Sequence, residues 1–261
     1  MKLSVIVITK DEEKLIKDCL ESVRELADEI IVLDTGSTDR TIEIAKEKKA
    51  KIFSYKGEEM NFSAWRNEAL KKAIGDWVFY LDADERVTKD LKEEIEKTIE
   101  EEKFNAYAIP RQNYYLGKAV RFGGSYPDYV KRLFKRENHK GWKGELHEEP
   151  IFLSASGGEG ELGHLENPMI HLTHRNLSSM VEKTNKWSEI EAKLLYDAGH
   201  PEMVWWRFLR IMLTEFWYRG IKLQGFRDKD VGFIEVIFQV FSRFMTYAKL
   251  WEIQQLENKD K

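Results

Sequence analysis

A chain of 261 residues, 42% hydrophobic and 34% charged, can bury one substantial core with a smaller attached element, and two large independent domains are not expected. Its net charge of -4, with both signs interspersed, argues against the basic face that nucleic-acid binding requires, so no nucleic-acid partner is expected. A lone cysteine, Cys19, excludes an internal disulfide, and "MKLSVIVITKDEE" has too short an apolar run for a signal peptide, which together point to the cytoplasm. Charged residues interrupt each long apolar stretch, including "VGFIEVIFQVFSRFMTYAKLW". No membrane span of roughly 20 residues is therefore expected, while contact with a membrane surface stays open.

In chain order the pattern first alternates strand and helix. "LSVIVIT" (Leu3 to Thr9) precedes a helix from Glu12 to Glu25, "EIIVLD" (Glu29 to Asp34) precedes a helix from Asp39 to Lys48, and "AKIFSY" precedes a helix from Ser63 to Ala73. "WVFYLD" then runs into a helix from Lys89 to Glu102. Nearly continuous apolar strands separated by amphipathic helices predict βαβ units and a parallel sheet covered on both faces. From Asn105 short segments rich in Gly and aromatics follow, and after "MIHLTHR" the chain reads as helical with a break at Ala198 to Pro201. The expectation is an α/β fold with a Rossmann-like start and a helical C-terminal appendage. Its parts are residues 1–175, divided into a nucleotide-binding half (1–102) and an acceptor half (103–175), and a helical region 176–261.

The run "DWVFYLDADERV" places Asp82, Asp84 and Glu85 directly after an apolar strand. Ligands of open α/β sheets bind at the carboxyl ends of strands, where Asp34, Asp82 and Asp84 fall. A D-x-D pair can give one carboxylate to Mg²⁺ or Mn²⁺ and the other to a neighbouring ribose, and the cation then offsets the repulsion between the acids. A solvated turn preceding a helix is the plainer alternative. Near it "VLDTGSTDRT" supplies hydrogen-bonding groups suited to a nucleoside, and "WRNEAL" supplies Arg66, whose guanidinium suits a diphosphate unless it is an exposed helical arginine.

Taken together, "VIVITKDEEKLIKDCLESV", "DEIIVLDTGSTDRTIEIA", "WRNEAL" and "GDWVFYLDADERV" resemble the family 2 glycosyltransferases of the GT-A fold. "YYLGKAVRFGGSYPDYVKRLFKR", "WKGELHEEP", "IHLTHRN" and the ending from Arg219 resemble a bacterial subgroup that includes lipopolysaccharide core β-1,4-glucosyltransferases. The resemblance implies a mixed sheet flanked by helices, a nucleotide-sugar donor, a divalent metal and inversion at the anomeric carbon. It implies that Thr9, Glu12 and Asp34 contact the base or ribose, that Arg66 lies near the diphosphate, that Asp82 lies near the ribose or donor sugar, and that Asp84 binds the metal. The usual Asn-Glu after the first strand is Asp11-Glu12 here, and Trp65 stands where a polar residue is common.

Inverting transfer needs a base for the acceptor hydroxyl. "GWKGELHEEP" offers Glu145, His147, Glu148 and Glu149. The resemblance, in which an acidic residue of this region acts as base and the His147-Glu148 pair matches that element, favours Glu148. Alternation along a regular strand would put Glu145 and His147 on the opposite face, so only one set can face the pocket and Glu145 is the alternative. His171 or His174 in "MIHLTHR" would complete the metal shell unless packed in the core, and Arg132 would reach a phosphate unless solvated.

In the last helix Ile234, Ile237, Phe238, Phe241, Phe244, Met245 and Ala248 form one face. "MVWWRFLRIMLTEFWYRG" mixes tryptophan with arginine, as at a membrane interface. Packing between these helices and contact with a second subunit, as in a homodimer, are the alternatives. The sequence thus predicts a metal-dependent glycosyltransferase acting on a lipopolysaccharide-core or other glycolipid acceptor, at the inner face of the cytoplasmic membrane. Two rivals remain: a nucleotidyltransferase, for which "TKDEE" is a poor triphosphate loop, and a non-catalytic membrane scaffold, which the presence of Asp84 disfavours.

Overall fold

The computed structural model describes residues 1–55, 57, 61–144, 148–153 and 160–259, the side chains of 257–259 excepted. In chain order the first elements are β1 (Leu3–Thr9), α1 (Ile16–Val23), β2 (Glu29–Asp34), α2 (Thr41–Glu47), β3 (Lys51–Ser54) and α3 (Phe62–Leu70). They continue with β4 (Trp77–Asp82), β5 (Glu85–Arg86) and α4 (Lys89–Glu101). The helices start and stop inside the spans expected from periodicity, apart from α3, which begins one residue early. α1 is shortened most, because the chain before it is spent in a turn where the Leu15 and Ile16 amides both donate to the Glu12 carbonyl (2.9 Å each). Side-chain caps fix two other starts: Asn61 accepts from the Ala64 amide at 2.8 Å and Thr88 from the Leu91 amide at 3.2 Å.

The Gly- and aromatic-rich middle folds as β6 (Ala106–Tyr115), β7 (Lys118–Ala119), β8 (Asp128–Lys135), β9 (His139–Lys143), β10 (Glu149–Phe152), β11 (Leu162–His164) and β12 (Met169–His174). Three long helices follow: α5 (Leu177–Asp197), α6 (Trp205–Phe216) and α7 (Lys229–Lys259), the last two joined by a π-helical turn at Trp217–Lys222 and a 3-10 turn at Gly225–Asp228. The chain divides into two compact units, Met1–Arg111 with Tyr129–His171, and Gln112–Asp128 with Leu172–Lys261.

The first unit is built on a mixed sheet in the order β3-β2-β1-β4-β8-β6-β12-β5, where β1 runs parallel to β2 and β4 while β8 joins β4 antiparallel. β1, β2 and β4 are apolar on both faces because both faces are covered. Val5, Val7, Val32, Phe79 and Leu81 pack with Ile16 and Leu20 of α1 and Leu91 and Ile95 of α4. The alternate residues Ile6, Ile31, Leu33, Val78 and Tyr80 pack with Ala69, Ala73 and Trp142. A mixed sheet flanked by helices is the expected fold.

In the second unit α5 and α7 pack along each other, and Ala192, Met203 and Leu250 form a buried cluster with Phe208, Tyr247 and Ile253 around it. Here the sequence expectation about membrane spans needs correction. Gly225–Leu256 is long and apolar enough, by length and composition, to cross a bilayer, with a mean hydropathy of 1.2 over its most apolar stretch. Isolated charges do not offset the aromatic and branched residues around them, and one of them, Glu235, is buried against His174 at 3.3 Å and Gln239 at 2.6 Å.

α3 is tied to β9 by one side chain. The Asn67 amide donates to the Trp142 carbonyl at 2.9 Å and accepts from the Trp142 amide at 2.8 Å. The close approach requires Gly141, whose φ is +113° and at which a Cβ would lie 2.5 Å from Asn67 Oδ1. Asn67→Ala leaves both Trp142 backbone groups without that partner and is expected to cost about 2–4 kcal/mol in urea unfolding. A loss under about 0.5 kcal/mol would mean that the tie is dispensable.

Candidate active site

Parallel pairing brings the expected acids to one sheet edge. Thr9 is in register with Asp34, and Ile8 with Asp82. The loops after β1 and β2 are then laced together. Asp34 accepts from the Ser37 amide at 3.0 Å and the Gly36 amide at 3.3 Å, and Asp11, with φ +53°, accepts from the Thr38 amide at 2.7 Å. The Asp11 amide donates to Ser37 Oγ (3.0 Å) and the Glu12 amide to Thr41 Oγ1 (2.7 Å). Asp11 thus fills the left-handed position and the acceptor role that an asparagine would fill. Thr9 is buried; its carbonyl accepts from the Thr35 amide at 3.0 Å, and its hydroxyl has no partner among the described residues.

At the end of β4 the acidic run meets three arginines. Arg132 of β8 donates to Asp82 and, at 3.1 Å, to Glu85; Arg66 of α3 donates to Asp82 at 3.3 Å; Arg111 of β6 lies 3.5 Å from Glu85. Arg66 also reaches Glu148 at 3.3 Å and lies over the Trp142 ring at 4.8 Å and the Tyr80 ring at 5.5 Å. Arg66, Arg132 and Glu85 are buried, so neither arginine is the solvated side chain that the sequence left open. Glu85 Oε2 accepts from the Asp82 amide at 2.9 Å, which fixes the turn carrying the acids.

The electrostatics of this cluster follow from its geometry. Burial alone would raise the pKa of Asp82, but the Arg132 and Arg66 guanidiniums outweigh it and hold the carboxyl below its ordinary range. Burial wins at Glu85, which is pushed up despite Arg132, with the Asp82 charge adding to the rise. For Arg132 burial is opposed and exceeded by Asp82 and Glu85, which keep the guanidinium charged. Three guanidiniums thus face three carboxylates. At Asp82, where a cation was expected to offset the charge, Arg132 of β8 and Arg66 of α3 do so from within the protein, and Arg132 with Arg111 of β6 meets Glu85, which had no expected role.

Asp84 stands apart from that cluster. Its Oδ2 lies 3.4 Å from His171 Nε2, both side chains partly open to solvent, because β12 pairs antiparallel with β5 and sets His171 opposite Glu85. His174 belongs to the second unit, where it stacks on Tyr115 with ring centroids 4.4 Å apart and faces Glu235. One carboxylate oxygen and one imidazole are a donor set that fits Mn²⁺ or Mg²⁺ when phosphate oxygens or water supply the remaining ligands. Among the described residues no group of three or more His, Cys, Asp and Glu could hold a metal by itself.

Next to the cluster opens a cavity of ≈ 480 Å³ lined by Arg66, Asp82, Arg111, Arg132, Trp142 and Glu148, with the Tyr129–Lys131 and Glu149–Pro150 segments completing its wall. Glu145 and His147, the alternative base and its neighbour, lie outside the described residues. Glu148 is not in a regular strand, which starts at Glu149. Arg111, Trp142 and Glu85 had no assigned role in the sequence reading. The available signal was Arg111 itself, a charge inside the otherwise apolar start of β6, "AYAIPR".

With this geometry in place the relatives are informative. The profile of glycosyl transferase family 2 matches residues 4–152, more than half the chain. The chain belongs to that family and is a glycosyltransferase. It is 28% identical to an uncharacterised glycosyltransferase of Rickettsia typhi over 97% of this chain and 87% of that one. The glycosyltransferase SunS of Bacillus subtilis is 32% identical over 56% of this chain and 34% of its own. Mannosyl-3-phosphoglycerate synthase from Rubrobacter xylanophilus shares the fold, with a TM-score of 0.50 and 16% identity over 78% of this chain and 77% of that one.

Asp82 offers a test of the charge cluster. Because its folded pKa is depressed, its stabilising contribution is complete above the unfolded value of about 4 and fades as pH falls through the folded one. Asp82→Asn is expected to cost about 1–3 kcal/mol at pH 7, a range reduced because a third of the side chain meets solvent, and to cost less below about pH 3. A deficit that stays constant from pH 7 to pH 3 would contradict the pairing.

Proposed function

We propose that this glycosyltransferase moves a hexose, glucose favoured, from a nucleotide-sugar, UDP-linked favoured, to a lipopolysaccharide-core or other glycolipid acceptor, with inversion and with a divalent metal. The observation that carries the reading is the Asp84–His171 pair, 3.4 Å apart, two residues along the chain from the cavity-lining Asp82. Asp84 and His171 would hold Mn²⁺ or Mg²⁺, and the bound metal supplies Lewis-acid stabilisation of the leaving diphosphate. Thr9, Glu12 and Asp34 are assigned to the base and ribose, on loops whose laced hydrogen bonds keep them preorganised. Asp82 is assigned to the donor sugar, held in one orientation by Arg132 and Arg66. The same arginines are available to nearby phosphate oxygens.

Glu148 is assigned as the base. Its contact with Arg66 uses Oε1, so Oε2 can accept the proton of an acceptor hydroxyl entering the cavity. Arg66 thereby links the donor-sugar carboxylate to the base, and Trp142, stacked on Arg66, sets the cavity wall between them. A lipid-linked acceptor places the enzyme at the inner face of the cytoplasmic membrane.

Two variants separate these roles. Asp84→Asn should abolish the Mn²⁺ dependence of nucleotide-sugar binding in calorimetry while leaving the melting temperature within a few degrees; unchanged Mn²⁺-dependent affinity would remove Asp84 from the metal site. Glu148→Gln should lower turnover about 100-fold or more with donor affinity kept. Near-normal turnover would pass the role to Glu145. The donor itself is read from binding of UDP-, GDP-, ADP- and TDP-sugars with and without Mn²⁺, where a flat response to all four would contradict the proposed function.

A further inference from the structure

α6 turns Phe208 and Ile211 toward the cluster around Leu250 but keeps a second apolar set on the outside. None of its side chains is buried, and Trp205 (74%), Leu213 (67%) and, in the following turn, Trp217 (55%) are exposed at helical spacing, with Leu209 between them. α7 shows a second stripe, Phe233, Ile237, Phe241 and Phe244, at spacings of three and four residues. Phe216, Phe226 and Phe233, with ring centroids 5.6 and 6.1 Å apart, join the two stripes. Single exposed apolar residues are ordinary on a soluble protein, but a joined pair of stripes marks an interaction surface.

Charge identifies what covers it. Val204 to Arg227 carries Arg207, Arg210, Arg219, Lys222 and Arg227 against one carboxylate, Glu215, a net +4 in a chain whose total is -4. The cations sit among the aromatics: Arg207 lies 4.9 Å and Arg210 5.7 Å from the Trp206 ring, and Lys222 5.2 Å from Tyr218. Tryptophan and tyrosine beside snorkelling arginine and lysine match the interfacial zone of an anionic bilayer. A second copy is a poorer occupant, because a two-fold interface would set one +4 segment against another.

The contacts of α7 decide between lying on the bilayer and crossing it. Its other face is bound to α5 by polar groups: Thr246 Oγ1 donates to Glu191 at 3.1 Å and Lys249 Nζ to Asn185 Oδ1 at 2.9 Å. α5 exposes Glu182, Lys183, Lys186, Glu189 and Lys193. A spanning α7 would draw these ions into hydrocarbon. We propose that the outward faces of α6 and α7 form a monotopic surface that seats the second unit on an anionic phospholipid bilayer.

The test uses the full chain and vesicles of phosphatidylcholine with or without phosphatidylglycerol, and reads sedimentation rather than transfer, so it stands or falls apart from the proposed reaction. The wild type should sediment with the anionic vesicles, much less with the neutral ones, and less as salt rises. Arg210→Glu with Lys222→Glu should weaken binding about 30-fold or more, and Trp205→Ser with Leu213→Ser and Trp217→Ser about tenfold or more. All these side chains are exposed, so melting temperatures should stay within a few degrees of the wild type. Absence of sedimentation with anionic vesicles, or equal binding by all three proteins, would overturn the proposal. So would a dimer in sedimentation equilibrium that the serine variant dissociates while vesicles go unbound, which would assign the face to a second copy.

Discussion

The Arg132 guanidinium, shared between Asp82 and Glu85, is the interaction on which the site depends. Placing two carboxylates three residues apart at a strand end is unfavourable unless positive charge meets both. Arg132 does so from β8, the neighbour of β4, and Arg66 and Arg111 add charge from α3 and β6. Burying such ions is costly, and the structure offsets that cost with nearly balanced charges and directed hydrogen bonds. A mixed sheet is required for this, since β8 runs antiparallel to β4.

From that cluster outward the site is held in layers. Glu85 fixes the Asp82 amide, and the same turn presents Asp84 to His171 through the β5–β12 pairing. Arg66 passes the constraint to Glu148 and, through stacking, to Trp142, whose backbone the next residue of α3, Asn67, anchors. The loops after β1 and β2 are laced by Asp11, Asp34 and Thr41, and Arg86 joins the acidic turn to the chain after β1 by donating to the Ala83 and Glu85 carbonyls at 2.8 and 2.7 Å and to the Leu15 carbonyl at 2.7 Å.

How much of this could be read in the sequence follows from the range of each interaction. β1, β2 and β4 were legible because burial on both faces leaves an unbroken apolar run, and Asp34 and Asp82 were legible because they end such runs. The pairing of Asp84 with His171 was foreshadowed by residue type, but only the antiparallel end of the sheet brings them together. Glu85 and Arg111 were not legible in role, because the partners that define them are 26 and 47 residues away in sequence and carry no local signature. The long helix α7 was underestimated because its charges were counted as interruptions, whereas Glu235 is buried against His174.

A double-mutant cycle between Arg132 and Glu85, read by chemical denaturation at pH 7, tests the central claim most directly. Arg132→Met and Glu85→Gln should each destabilise, and the double variant should cost no more than the worse single one, giving a coupling of about 2 kcal/mol or more. Costs that add to within about 0.5 kcal/mol would contradict the shared guanidinium as the interaction that holds the acidic turn in place.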